Sequence, residues 1–115
     1  MNNIVLIGRI TKNPELKYTN NGKGNTRFTL AVQRNKDETD FINCVAWEKT
    51  AENIAEYFKK GSQIAVQGSI RTGSYEKDGR TIYTTDVWVY KFDFIGNNQN
   101  VKKDNENEDN ENFPF

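Results

Sequence analysis

Few residues in this sequence could do covalent chemistry. Histidine is absent and there is one cysteine, Cys44. That removes imidazole acid–base catalysis, His-activated nucleophiles and His metal ligands together. A single cysteine also excludes a thiolate zinc site within one chain and an intramolecular disulfide, so a reducing compartment is the simpler expectation. The only dense acidic group is Asp37, Glu38 and Asp40, which falls in a charged loop. A carboxylate-dependent nuclease with a metal at that group is the remaining enzymatic reading, and nothing else supports it. The expectation is a protein with no catalytic residue, no metal and no cofactor.

Rings and cations remain. Asp40 to Glu48 reads as a strand, and strand side chains alternate between faces. Ile42, Cys44 and Ala46 share one face, apolar and small enough for a barrel interior; Phe41, Asn43, Val45 and Trp47 share the other. Two large aromatics thus fall opposite the core face, where exposure costs hydration free energy and calls for a partner. Arg71 and Tyr75 share a face four residues apart, and Gly73 and Ser74 between them leave room for close approach. Unpaired nucleobases offer π-faces to rings and phosphates offer charge to Lys and Arg, whereas a duplex hides those π-faces. The pattern therefore suits single-stranded nucleic acid. Each residue also has a plainer reading. Phe41 and Trp47 also fit packing against a helix or a second subunit. Tyr75 also fits cross-strand packing, and Arg71, Lys49 and Lys60 an ordinary solvated surface. Cys44 reads as a buried structural residue. Trp88, Tyr90, Phe92 and Phe94 share a parity and read as subunit or barrel packing.

The elements that must position these groups follow from pattern. Ile4 to Ile10 reads as a mostly buried strand with a bulge or bend at Gly8. A turn at Asn13-Pro14 and a short extended piece, Glu15 to Tyr18, come next. The run Asn20 to Asn25 is a turn cluster. Arg27 to Gln33 alternates, with Phe28, Leu30 and Val32 on one side. Lys49 to Lys60 is the one helix, since Ala51, Ile54, Ala55 and Phe58 make a single apolar stripe. Thr50 is its expected N-cap and Gly61 its stop. Ser62 to Tyr75 and Arg80 to Ile95 are long strands joined by a hairpin turn at Asp78-Gly79. Three strands, a helix and two strands is the order of an all-β, five-stranded OB-fold Greek-key barrel, with the helix between strands 3 and 4. A ββαββ-type sheet and an SH3-like barrel compete.

The 115 residues suffice for one domain, expected over 1–96. Net charge is zero, yet residues 1–100 carry 14 Lys/Arg against 11 Asp/Glu, and residues 101–115 carry 2 against 5. A basic body suits a polyanion, and an acidic tail suits a different partner. Residues 97–115 are almost all Asn, Asp, Glu, Lys and Gln before the terminal Phe113-Pro114-Phe115, and are expected to be a disordered tail. The N-terminal apolar run is too short for a signal h-region or a membrane span, which gives a cytoplasmic expectation without a membrane partner.

Several segments, taken together, resemble the bacterial single-stranded DNA-binding protein family. They are Asn3 to Ile10, Asn13 to Tyr18, Phe28 to Val32, Asp40 to Trp47, Ala51 to Ser62 and Gly68 to Thr72, in order along residues 1–95. The resemblance implies an OB-fold that assembles as a homotetramer and stacks DNA bases on Phe41, Trp47 and Tyr75. It places phosphate-contacting cations at Arg71, Lys49 and Lys60. It makes Phe113, Pro114 and Phe115 an Asn-diluted version of a tip that docks on replication and repair proteins. It also implies nucleoid association and a role in replication, recombination and repair. Where the family commonly has a further stacking aromatic, this sequence has Arg34-Asn35-Lys36, and an Arg can stack in place of the ring. Two other classes stay open: an OB-fold RNA-binding module, and an assembling adaptor whose aromatics form subunit contacts.

Overall fold

The computed structural model describes residues 1–96; the tail expected at 97–115, with Phe113, Pro114 and Phe115, lies outside the described residues. The elements are β1 (Ile4–Ile10), β2 (Lys17–Tyr18), β3 (Gly24–Gln33), β4 (Thr39–Trp47), α1 (Glu48–Tyr57), β5 (Gln63–Lys77) and β6 (Arg80–Phe94). Their order in the sheet is β1-β5-β6-β4-β3-β2, and β1 also pairs with β3. That last pairing closes the sheet and excludes the open ββαββ arrangement. β4 and β6 run parallel, with Cys44 opposite Val87 and Ala46 opposite Val89, and every other pair is antiparallel. The fold is all-β, an OB-type Greek-key barrel of five main strands with one helix between the third and fourth. The short extended piece at residues 15–18 contributes β2, a two-residue strand hung on β3 at Lys17–Asn25 and Tyr18–Gly24.

Alternation fills the barrel. Thr26, Phe28 and Leu30 of β3 face inward with Cys44 and Ala46 of β4, Ile64 and Val66 of β5, and Val87 and Val89 of β6. The helix adds Ala51 and Ile54, and Phe58 just beyond it joins the same core. Burying an aliphatic or aromatic side chain is worth about 1.5–3 kcal/mol against leaving it exposed, so this one cluster carries most of the driving force. The hairpin turn sits as its Asp-Gly signal predicts: Lys77 pairs with Arg80, and Asp78 (φ 52°) and Gly79 (φ 75°) both take the left-handed conformation that a type I′ turn requires.

Four local expectations are corrected. Of the bulge or bend expected at Gly8, the bulge is absent: β1 runs in unbroken register against β5 through Gly8–Ile64, and directly after Gly8 it also takes up β3, Arg9 pairing with both Gln63 and Ala31. The small size of Gly8 matters because a Cβ there would stand 2.4 Å from the carbonyl oxygen of Ala31. Thr50 does not cap the helix. The chain enters from extended Trp47 with no side-chain cap, turning at Glu48, whose φ is 53°. The helix stops at Tyr57, short of Lys60, because Phe58 goes extended and lays its ring on Phe94 (4.9 Å, stacked) and Phe92 (5.5 Å, edge-on). Gly61, at φ 89°, then serves the return to the barrel, its N–H donating to the Ile10 carbonyl at 2.7 Å.

The fourth correction concerns β6. Gln67 pairs with Lys91 but Gly68 pairs with Val89, so Tyr90 is an extra residue in the strand, a β-bulge. Parity flips there. Val87 and Val89 point in, and after the bulge Phe92 and Phe94 point in. Trp88 and Tyr90 do not share the face of Phe92 and Phe94. The opposing Gly68 has no space for a side chain: a Cβ would stand 2.1 Å from the Trp88 carbonyl oxygen. Gly68→Ala is therefore expected to lower unfolding free energy by about 1–3 kcal/mol, the usual range for overpacking against an unyielding neighbour. Urea titration followed by circular dichroism checks this, and a variant as stable as the parent chain would show that the strands part there without cost.

Candidate nucleic-acid interface

The registers assemble a second face, outside the barrel. Residues opposite one another in a sheet share a face. Arg27 lies opposite Val45, Ala31 opposite Phe41, and Asn25 opposite Trp47. Val45 lies opposite Trp88. Ser69 lies opposite Trp88, Arg71 opposite Asp86, and Tyr75 opposite Ile82. Thus β3, β4, β6 and β5 present Arg27, Phe41, Trp47, Asp86, Trp88, Arg71 and Tyr75 on one surface. Phe41 is 67% exposed and Tyr75 52%. Neither is taken into the core.

Trp47 and Trp88 are half-buried and form a tilted pair, ring centroids 5.5 Å apart. The Arg71 guanidinium lies over the Trp88 ring, 4.2 Å from its centroid. Such a contact is worth about 0.5–1 kcal/mol at an exposed site. It also fixes a flexible cation beside a π-face. Trp47 is the most constrained of the set: its indole N–H is buried with no hydrogen-bond partner among the described residues, and the strained Glu48 follows it directly. Phe41 is free to receive a ring, whereas Trp47 and Trp88 form a fixed wall.

The cations divide. Arg71 belongs to the wall. The Lys49 side chain is highly exposed on the first turn of α1, 3.9 Å from Glu52. Lys60 follows the helix, where its backbone N–H donates to the Asn13 side chain at 2.8 Å. Asn13 in turn lines an open groove of 460 Å³ that also holds Lys12, Lys17 and Arg27 against the single carboxylate Glu15. Asn25, Thr29 and Asn43 of the aromatic face line the same groove, so basic trough and ring wall are continuous.

Trp88, Arg27, Lys12 and Lys17 were not singled out from sequence. Trp88 was masked by the bulge at Tyr90, since unbroken parity groups it with Phe92 and Phe94. Arg27 could have been found: it alternates with Phe28 and Leu30, so it must share the face of residues opposite it in β4. Arg34 is held within its own loop. Its Nη2 donates to Asp40 Oδ1 at 2.6 Å and its Nε to Oδ2 at 3.3 Å, with Glu38 3.6 Å from Nη1. These edge contacts orient the guanidinium, whose side chain is 57% exposed, and leave its planar faces open. The bond from Arg34 holds the Asp40 carboxyl below its ordinary value, so the clasp is present at neutral pH and opens only as pH falls through that lowered value. Asp40 and Glu38 are thereby committed to Arg34, and among the described residues no cluster of three His, Cys, Asp or Glu could hold a metal ion.

The model of the single-strand binding protein family matches residues 1–95. The chain belongs to that family. It is 60% identical over 99 residues to a single-stranded DNA-binding protein of Clostridium perfringens, covering 83% of this chain and 66% of that protein. It is 47% identical over 102 residues to one from Bacillus cereus, covering 83% and 60%. Single-stranded DNA-binding protein 1 of Streptococcus pyogenes is 44% identical over 108 residues, covering 88% and 83%. The chain thus spans less than two thirds of the length of the first two relatives.

Beneath the face, Cys44 is 1% exposed, and burial, with the Asp86 charge adding to it, pushes its thiol up to about 12. A raised folded value means the stability it contributes is complete below the unfolded value near 9 and is lost as pH climbs toward 12. The native chain is expected to leave Ellman's reagent almost unreacted at pH 8 and to titrate one thiol on unfolding. Fast native reaction would show that the wall of β4 opens.

Proposed function

We propose that this chain binds single-stranded DNA without regard to sequence, coating and protecting it during replication, recombination and repair. One observation carries the reading. Two tryptophans, a phenylalanine, a tyrosine and two arginines from four strands share one outer surface, and a basic groove runs into it. Phe41, Trp47 and Tyr75 would stack bases, with Trp88 beside Trp47 as a further ring. Arg71, Arg27 and the groove lysines would pair with phosphates, and Lys49 and Lys60 would extend the cationic track. The family membership supports this reading, as does the chain's likeness to bacterial single-stranded DNA-binding proteins. The chain acts by binding, with no catalytic step. It works in the cytoplasm at the nucleoid, as a homotetramer, and recruits replication and repair proteins through Phe113, Pro114 and Phe115. No helix among the described residues is long and apolar enough to cross a membrane.

Both tryptophans of the chain lie in the same pair, so total emission reports this surface directly. Poly-dT is expected to quench it, and added salt to reverse the quench with a slope of about −0.7 in log K per phosphate neutralised. Trp88→Ala and Phe41→Ala are each expected to weaken binding by roughly 5- to 150-fold. That range is stacking at about 1–3 kcal/mol per base, a figure known from OB-fold single-strand binders, this family among them, and so taken over rather than obtained from this structure. Unchanged emission with excess poly-dT at low salt removes the reading. A matched RNA oligomer that outcompetes the DNA would move it to an RNA-binding module.

A further inference from the structure

One carboxylate stands on the proposed binding surface where phosphate would arrive. Asp86 lies directly across β5–β6 from Arg71, two residues before Trp88, and 3.7 Å from Arg27 Nη1. Its side chain is 15% exposed against 66% for Arg27, so the anion is fixed and the cation is mobile. Among the described residues this is the one ion pair Asp86 makes, and no hydrogen bond accompanies it. Two functions are possible for such a group. It can orient Arg27, or it can oppose an incoming phosphate.

Magnitudes separate them. A single contact at 3.7 Å with a largely solvated arginine orients that arginine weakly. A fixed charge shielded from water acts strongly on an anion brought to the neighbouring cations, because a carboxylate that is 15% exposed is poorly screened. We propose that Asp86 is an internal competitor for DNA phosphate: it occupies Arg27 in the free protein, is displaced from it on binding, and sets the affinity of the surface below what its cations alone would give. This rests on the single-strand reading above. The consequence is a coat that holds DNA yet releases it, since each bound strand leaves Asp86 unpaired and ready to take Arg27 back.

The test is Asp86→Asn in the full chain, with binding to fluorescein-labelled oligo-dT followed by anisotropy across a salt series. The amide keeps shape and removes charge. The variant is expected to bind roughly 3- to 10-fold tighter, with a dependence of log K on log salt close to the parent's, since Arg27 meets phosphate in both. Arg27→Ala should weaken binding, and Asp86→Asn should be nearly without effect in that background. Asp86→Ser serves as a second variant if the amide unfolds the chain. Binding equal to the parent, or weaker as for Arg27→Ala, overturns the proposal and leaves the single-strand reading standing. A parent chain that gives no anisotropy change with oligo-dT overturns both.

Discussion

The bulge at Tyr90 is the constraint on which the rest depends. A strand in a closed barrel cannot change which residues face inward without adding or losing one, because its side-chain period is two. In β6 one extra residue lets Val87 and Val89 fill the barrel beside β4, while Phe92 and Phe94 fill it beside the helix. Trp88 is thereby left on the outer side, against Trp47. Neighbouring groups hold the bulge in place. Gly68 lets the strands close to contact, and the Tyr90 hydroxyl donates to Asn3 Oδ1 at 2.8 Å, where the Gln67 amide also donates. Asn2 continues the tie, exchanging two hydrogen bonds with the backbone of Ile70. The start of the chain thus fastens the part of β5 that carries Arg71.

Two kinds of surface result, and they differ in stiffness. Trp88 contacts both Trp47 and the Arg71 guanidinium, and both indoles are half-buried. Phe41 and Tyr75 stand out on the strands with more than half their area in water. A fixed wall beside adaptable rings suits a ligand whose backbone is flexible and whose bases are all flat. The wall loses little entropy on binding, and the outer rings adjust to spacing.

Much of this was legible in the sequence. The order of strands and helix, the Asp78-Gly79 turn, the apolar stripe of the helix and the inward set of β4 all follow from local period. They are right because each is a short-range consequence of burial. What was not legible depends on pairs distant in sequence. The bulge exists only as a mismatch between β5 and β6, and nothing within Val87 to Phe94 marks which residue is extra. The early end of the helix likewise reflects Phe58 choosing Phe92 and Phe94 over another helical turn. Gly8 was readable as a special glycine, but neither it nor Gly68 as a point where two backbones touch.

The loop after β3 is organised by Arg34. Arg34 stands where the family resemblance would put another ring, and the structure gives it to Asp40 and Glu38 instead. The clasp also organises its own loop: the Asn35 side chain accepts from the backbone N–H groups of Asp37 and Glu38, and the Arg34 N–H donates to the Glu38 carbonyl. A loop closed this way projects no ring toward Phe41. On the proposed reading the rings that stack bases come from β4, β5 and β6, and the basic groove beside β3 would take phosphates. On that reading salt acts most strongly on the groove side, where Lys12, Lys17 and Arg27 gather, and less on the ring wall, whose one cation is Arg71.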